Sequence, residues 1–381
     1  MIIQIGIRRN LLYPLLLIVF TFFRKVDSIT MNKACKFEGS LLLTLIMFLA
    51  ELISGLLLFI YYNSFLKKRS VTNYMGIKFV QPKLRMTRLD TIYKIYFLIF
   101  LAAFYDFNVF ILQTLYLPKY DIANSTLDMR LRCVLTVSSA ILCYYVLRLP
   151  IYKHQKYSLI MISICLVLVI ILEFIFQLNF AETSLGNLIR VLSLMVINYV
   201  LNTFLDIVEK YLLEYDFINP FQLLMLEGFF GFILTFLYSF VENPFKEIKT
   251  SRNLILLIIC FIIYFITSGG RNVYRILTNK LYSPMTRTLT DSILDPLLII
   301  YYYVMEGDFK VSNNQQSIFF FIVNLILSFI IVFFGCIYNE LLVLYIFDLD
   351  YDTHHEVSRR SKMIESVSEL SSYEKEETVW D

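Results

Sequence analysis

The sequence predicts an all-α polytopic membrane protein of ten transmembrane helices, arranged as two inverted five-helix repeats. Three observations carry the membrane-spanning part of this expectation; the repeats rest on the comparison of the two halves and on the resemblance given below. Of 381 residues, 58% are hydrophobic and 17% charged, with a mean hydropathy of +0.67, well outside the range of soluble domains. The apolar residues fall in blocks of roughly 20, the length an α-helix needs to cross a bilayer. The basic residues gather in the short links between blocks, where orientation signals lie. The blocks cover nearly the whole chain, so it reads as one polytopic unit with a short polar tail.

The first span, 10–23, follows Arg8 and Arg9 and is marginal in length. No small-residue cleavage site follows, and Arg24-Lys25 come next, so it reads as an uncleaved helix followed by a polar link through Lys36. The second span, 39–62, has Glu51 at its middle and Gly55 one turn later. Its loop, 67–88, holds Lys67, Lys68, Arg69, Lys78, Lys83, Arg85 and Arg88 without an acid. This strong positive-inside signal places the loop and the N-terminus in the cytosol. The third span, 91–117, carries Asp106, Asn108 and Gln113. Alternation then puts Asn124-Ser125-Thr126 on the lumenal side, making Asn124 a glycosylation candidate.

The fourth span, 129–149, opens with Arg130 and Arg132 and ends at Pro150. A cytosolic link, 151–156, holds Lys153, Lys156 and His154, the last read as an ordinary link residue, and the fifth span runs to about 178. The sixth, 188–208, is unusually polar: Asn198, Asn202, Asp206 and Glu209 are spaced four, four and three apart. They share one helical face, which should meet a cavity or another helix rather than lipid. The seventh, 221–240, contains Gly228 and Gly231, three apart and suited to close backbone contact. The eighth, 254–274, reads as broken by Ser268-Gly269-Gly270-Arg271; the ninth starts at Pro284, a favoured first-turn residue, and runs to 305. The tenth covers 317–343, and the charged tail rarely folds alone on such composition. The division expected is 1–180 for the first repeat, 181–346 for the second, and 347–381 for a disordered cytosolic tail. Ten spans bring both termini to the cytosol.

Chemistry concentrates in 272–296, where Arg275, Lys280, Arg287, Asp291 and Asp295 lie between two very apolar blocks. A charge facing lipid at mid-bilayer costs about 3 kcal/mol on insertion scales, so these groups should face protein or a watery cavity. The openings of the fourth and ninth spans, LDMRLRCVLT and SPMTRTLT, both place arginine in the first turn. If the halves are inverted, both arginine-bearing helix starts point into one cavity from opposite membrane faces. Helix N-termini add their positive dipole ends, favouring an anion. Candidate solute contacts are Lys280, Arg287, Asn279, Arg132, Arg130, Asn198 and Asn202; candidates for proton or ion coupling are Glu51 and Asp206. Lys280 reads equally as a positive-inside loop residue, and Arg287 as an ion pair with Asp291.

The run TNKLYSPMTRTLTDS, with Thr278, Lys280, Ser283, Thr286-Arg287 and Asp291-Ser292, resembles the opening of the ninth helix in the nucleotide-sugar-transporter-like (solute carrier 35) branch of the drug/metabolite transporter superfamily, EamA-type. Glu209-Lys210, Pro220 and Glu227-Gly228-Phe229-Phe230-Gly231 resemble its sixth and seventh helices, and Tyr338-Asn339-Glu340 its closing helix. Asn279-Lys280 is similar to the Asn-Lys of the family's nucleotide-binding motif. Its Gly-Ala-Leu is replaced by Arg275-Ile276-Leu277-Thr278, so nucleotide-sugar specificity is not implied. The resemblance covers 185–340, and the first half in layout only. It implies a ten-helix carrier that works without ATP hydrolysis.

The function expected is therefore transport of a polar, anionic small organic solute by alternating access, with a non-transporting subunit or receptor of the same fold as the alternative. An enzyme is not expected: no span holds a His, and no phosphate-binding glycine loop is present. Six scattered cysteines without a C-x-x-C suggest neither a zinc site nor disulfides, and no metal or cofactor is expected. A net charge of +3 gives no reason to invoke nucleic acid. The expected partners are the bilayer and the solute, with a homodimer left open. The expected location is an endomembrane (Golgi, ER or lysosome-like).

Overall fold

The computed structural model describes residues 3–5, 12–37, 40–66, 89–116, 131–148, 151–179, 185–242, 253–282, 284–306, 315–345, 349–353, 356–357 and 360. The described residues are almost entirely helical. In order they are α1 (Leu12–Cys35), α2 (Ser40–Tyr61), α3 (Leu89–Ile111), α4 (Cys133–Val146), α5 (Lys153–Asn179) and α6 (Leu185–Glu214). Then follow α7 (Pro220–Tyr238), α8 (Leu254–Leu281), α9 (Pro284–Ser292), α10 (Asp295–Glu306) and α11 (Gln315–Tyr338). The exception among the described residues is a short antiparallel pair, β1 (Ile3–Ile5) with β2 (Leu342–Leu344), Ile3 opposite Leu344.

Among the described residues, seven helices contain segments long and apolar enough to cross a membrane: Leu41–Ser64, Ile92–Ile111, Lys153–Leu172, Leu185–Glu214, Pro220–Tyr238, Leu254–Leu281 and Phe321–Tyr338. Their polarity is that of a lipid-embedded bundle. On α8 the outward side chains Ile262 and Ile266 are 56% and 59% exposed, whereas Arg275 and Arg287 are among the largest fully buried side chains, each at 1%. In water this arrangement would expose a wide apolar surface and bury unhydrated charge. In a bilayer both choices are favourable.

Three elements depart from expectation. α1 does not stop at Arg24-Lys25 but continues to Cys35. Three of its charges turn inward, Arg24 and Lys25 onto a cavity and Asp27 into the protein, so none of these three needs to end the helix. α8 is unbroken at Gly269-Gly270. A Cβ on Gly270 would lie 2.5 Å from the Phe20 ring of α1, so this glycine admits a neighbouring helix rather than a kink. The ninth span, expected to be continuous, is split at Ile293–Leu294 into α9 and α10. Pro296, the second residue of α10, has no N–H to continue α9's hydrogen-bond ladder, and it suits a fresh helix start. Two smaller corrections concern ends. α6 extends to Glu214, so Lys210 is helical, and 342–344 is a strand rather than the end of the tenth helix. His154 is buried in the first turn of α5, 3.6 Å from Glu340, rather than exposed in a link.

The helices pack in a recurring pattern. α1 lies on α8, and α3 on α6; α2 also touches α8, and α3 also touches α7. α4 packs on α6 and α1 on α9, while α2 pairs with α7, α4 with α9 and α5 with α11. The α2–α7 contact is backbone to backbone and reciprocal. A Cβ on Gly55 would lie 2.6 Å from the Met225 amide nitrogen, and one on Gly228 would lie 2.4 Å from that of Leu52. Higher numbers on α2 meet lower numbers on α7, so the two run antiparallel. The same sense holds for α1 with α8 (Tyr13 on Tyr274, Phe37 on Phe261) and for α3 with α6 (Lys94 on Tyr211, Tyr105 on Phe204).

Candidate functional site: a cationic cavity backed by a carboxylate cluster

A polar cavity of about 60 Å³ lies where α1, α3, α6, α8 and α9 meet the start of α4. Six basic side chains line it: Arg24 and Lys25 from α1, Arg132 from the residue before α4, Arg271 and Arg275 from α8, and Arg287 from α9. Among the described residues Asp106 of α3 is the one acid in the lining, with Gln113, Tyr199 and Asn202 among the neutral polar groups. Helical periodicity explains the placement. Arg271 and Arg275 are four apart and share a face, and that face is turned inward by the apolar isoleucines on the opposite side of α8.

The bases are held by acids from other helices. Arg287 Nη1 donates to Asp206 Oδ2 and, at 3.4 Å, to Asn202 Oδ1, both on α6. Arg132 pairs with Asp295 at 2.6 Å, the carboxylate sitting in the first turn of α10 where the helix dipole favours it. Arg275 is the most heavily engaged. Its Nη2 lies 3.2 Å from Glu51, 2.9 Å from Glu209 and 3.5 Å from Glu227, and its Nη1 lies 3.6 Å from Asp106. Carboxylates from α2, α3, α6 and α7 thus converge on one guanidinium, itself fully buried.

The junction of α8 and α9 is tied to α6. Asn279 Nδ2 donates to the Asp206 carbonyl at 2.9 Å and to Glu209 Oε2 at 3.0 Å. Lys210 Nζ donates to the carbonyls of Asn279, Lys280 and Tyr282 and pairs with Glu214 at 2.6 Å. A lysine from one helix thereby satisfies the open carbonyls at the end of another.

Of the residues singled out in the sequence, Arg132, Arg287 and Asn202 come together on the cavity. Asn198 is buried on the same α6 face but outside the lining, and neither of its amide atoms has a hydrogen-bond partner among the described residues. Asn279 lies in the α6–α8 interface, and Lys280 lies next to it at the end of α8, away from the cavity. Glu51 and Asp206 are fully buried and paired with Arg275 and Arg287. Arg287 therefore finds its acid on α6, while Asp295 serves Arg132. Arg130, Asn124 and the loop 67–88 lie outside the described residues, as does the Asp291 side chain.

Arg24, Lys25 and Arg271 also line the cavity, as does Arg275, although nothing local in the sequence assigns them to it. Arg24-Lys25 looked like a helix end and Arg271 like part of a glycine break. The available signal was the four-residue spacing of Arg271 and Arg275, continuing the inward face of Tyr264 and Ser268. Among the described residues no group of three or more His, Cys, Asp or Glu side chains is placed to hold a metal ion. Comparison of the sequence with protein-family models and with curated proteins finds no match in either.

Proposed function

We propose that this chain is a multi-pass membrane carrier that moves a small organic anion by alternating access, without ATP hydrolysis. The observation that carries the proposal is the cavity lining: six bases against one acid, enclosed among membrane-length helices. The acids that pair with Arg132, Arg275 and Arg287 sit mostly behind the lining, so the wall of the cavity itself presents bases, which favours an anion there.

The packing pattern supports two inverted repeats, 1–180 and 181–346. Exchanging α1 with α6, α2 with α7, α3 with α8, α4 with α9 and α5 with α11 leaves the principal helix contacts unchanged: α1–α8 becomes α6–α3, α2–α8 becomes α7–α3, and α4–α6 becomes α9–α1. The antiparallel, reciprocal glycine contacts of α2 and α7 fit an axis in the membrane plane. With α1, α4 and the split α9–α10 counted as spans, the total is ten. The cavity draws on the first, third and fourth members of each half, the repeat interface where carriers bind their cargo. A discontinuous helix beside the site, here α9–α10, is also a carrier feature.

At about 60 Å³ the cavity admits a few waters but no organic solute. The cycle accordingly needs the halves to part. The basic loop 67–88 supports cytosolic termini, and the resemblance described above supports an endomembrane. A thermal-shift screen of the purified protein against nucleotides, nucleotide-sugars, organic anions and amines tests the proposal. Anions should raise the unfolding temperature saturably by binding the folded state. Stabilisation by amines alone, or by nothing in the screen, would overturn it.

A further inference from the structure

Arg275 faces two ways. It lines the cavity, and it also supplies the guanidinium shared by Glu51, Asp106, Glu209 and Glu227. The four carboxylates are not equally served. Glu209 Oε2 accepts from Asn279 Nδ2, and its Oε1, though without a hydrogen bond, lies 2.9 Å from Arg275 Nη2, the shortest of the four contacts, and Asp106 opens onto the cavity. Glu51 and Glu227 each place one oxygen near Arg275 Nη2, whereas Glu51 Oε2 and Glu227 Oε1 are buried without a hydrogen-bond partner among the described residues. A buried carboxylate oxygen with nothing to bond is costly. What both oxygens lack is small and positive. A metal ion needs a set of ligands that the described residues do not offer, whereas a proton needs one oxygen.

We propose that the Glu51–Glu227 pair takes up a proton when an anion occupies the cavity, so that the protein moves its solute together with H⁺. The inference rests on the anion-carrier reading and supplies its coupling ion. With the cavity empty, the carboxylates hold Arg275. An arriving anion competes for that guanidinium and adds negative charge, which favours the protonated form of a neighbouring carboxylate. A hydronium ion then gives its proton to Glu51 Oε2 or Glu227 Oε1, leaving water and a neutral acid; no other bond changes. The charged groups facing the pair are Asp106 on α3, Asp206 and Glu209 on α6, Arg271 and Arg275 on α8, and Arg287 on α9, with Arg24 and Lys25 of α1 across the cavity. Bases on the cavity side and acids behind Arg275 make the two binding events mutually reinforcing.

Calorimetric titration of the purified full-length chain with sulfate, which keeps its charge throughout the neutral range, tests this in two buffers of different ionisation enthalpy. The expected result is a buffer-dependent heat equal to about one proton taken up per sulfate, with binding weakening about tenfold per unit rise in pH. In a Glu51→Gln/Glu227→Gln variant the heat should not depend on the buffer, and sulfate should bind at high pH as tightly as wild type does at low pH. If that variant does not fold, either single substitution should reduce the uptake. Sulfate binding with equal heats in both buffers overturns the proton coupling and leaves the anion site standing, and no sulfate binding at any pH overturns both. Persistence of the uptake in the folded variant overturns its assignment to this pair.

Discussion

The two charged regions on either side of Arg275 both lie inside the helix bundle, yet they have opposite character. On one side, five bases besides Arg275 surround a small cavity with Asp106 as its single acid. On the other, Glu51, Glu209 and Glu227 crowd behind the same guanidinium, with α2 and α7 in backbone contact beside them. The comparison teaches that burial alone does not make a binding site. The acidic side closes on a base from within the protein, whereas the basic side leaves a small polar cavity open.

The largest test of this asymmetry is Arg275→Met set against Arg24→Met. Removing Arg275 strands four carboxylates and should cost about 3–5 kcal/mol in detergent thermal or denaturant unfolding. Arg24 is only partly buried and one Nη of its guanidinium has no partner among the described residues, so its loss should cost under about 1 kcal/mol. Equal losses would erase the distinction between the two sides. Next comes Gly228→Leu, which drives a side chain into the Leu52 backbone and should cost about 1–3 kcal/mol while shifting Glu227 off Arg275. Gly186→Ala, with nothing within 4 Å of the added carbon, is the control and should be near neutral. Asp295→Asn weakens the buried pair with Arg132 at the cavity edge. It should cost about 1.5 kcal/mol and strengthen anion stabilisation, since Arg132 is then released toward the cavity. A weaker anion response would show that Arg132 acts only through its pair. Smallest is Lys280→Ala, away from the lining, which should change stability by no more than about 0.5 kcal/mol and leave anion-induced stabilisation intact.

Much of the fold was legible because its signals are local. Apolar length and loop charge located α2, α3, α5, α6, α7 and α11 to within a few residues, apart from the C-terminal ends of α6 and α11, since composition alone sets membrane-length helices; beyond Ile111 the third span continues as a π-helical turn to Tyr116. Errors arose where a residue's role depends on a distant helix. Gly270 looked like a breaker because sequence cannot show that Phe20 lies against it, and Arg24-Lys25 looked like a terminus because sequence cannot show a cavity. The polar stripe of α6 was visible as a face, and Asp206 and Asn202 on it do meet Arg287. Its partner was beyond reach, because spacing on α9 pointed to Asp291 and only the packing of α6 on α9 supplies Asp206. Arg275 shows the limit most clearly: the acids around it lie between 48 and 224 positions away in the chain, and its hydrogen bond to Glu51 spans 224 residues.

The most direct test of the central claim is uptake into sealed vesicles reconstituted with the purified chain, using the anion that most stabilises it in the screen. Wild type should accumulate that anion saturably, faster under an inwardly directed proton gradient, and Arg287→Gln should abolish uptake while Lys280→Ala preserves it. Failure of any stabilising anion to cross, or uptake undiminished in Arg287→Gln, would contradict the account.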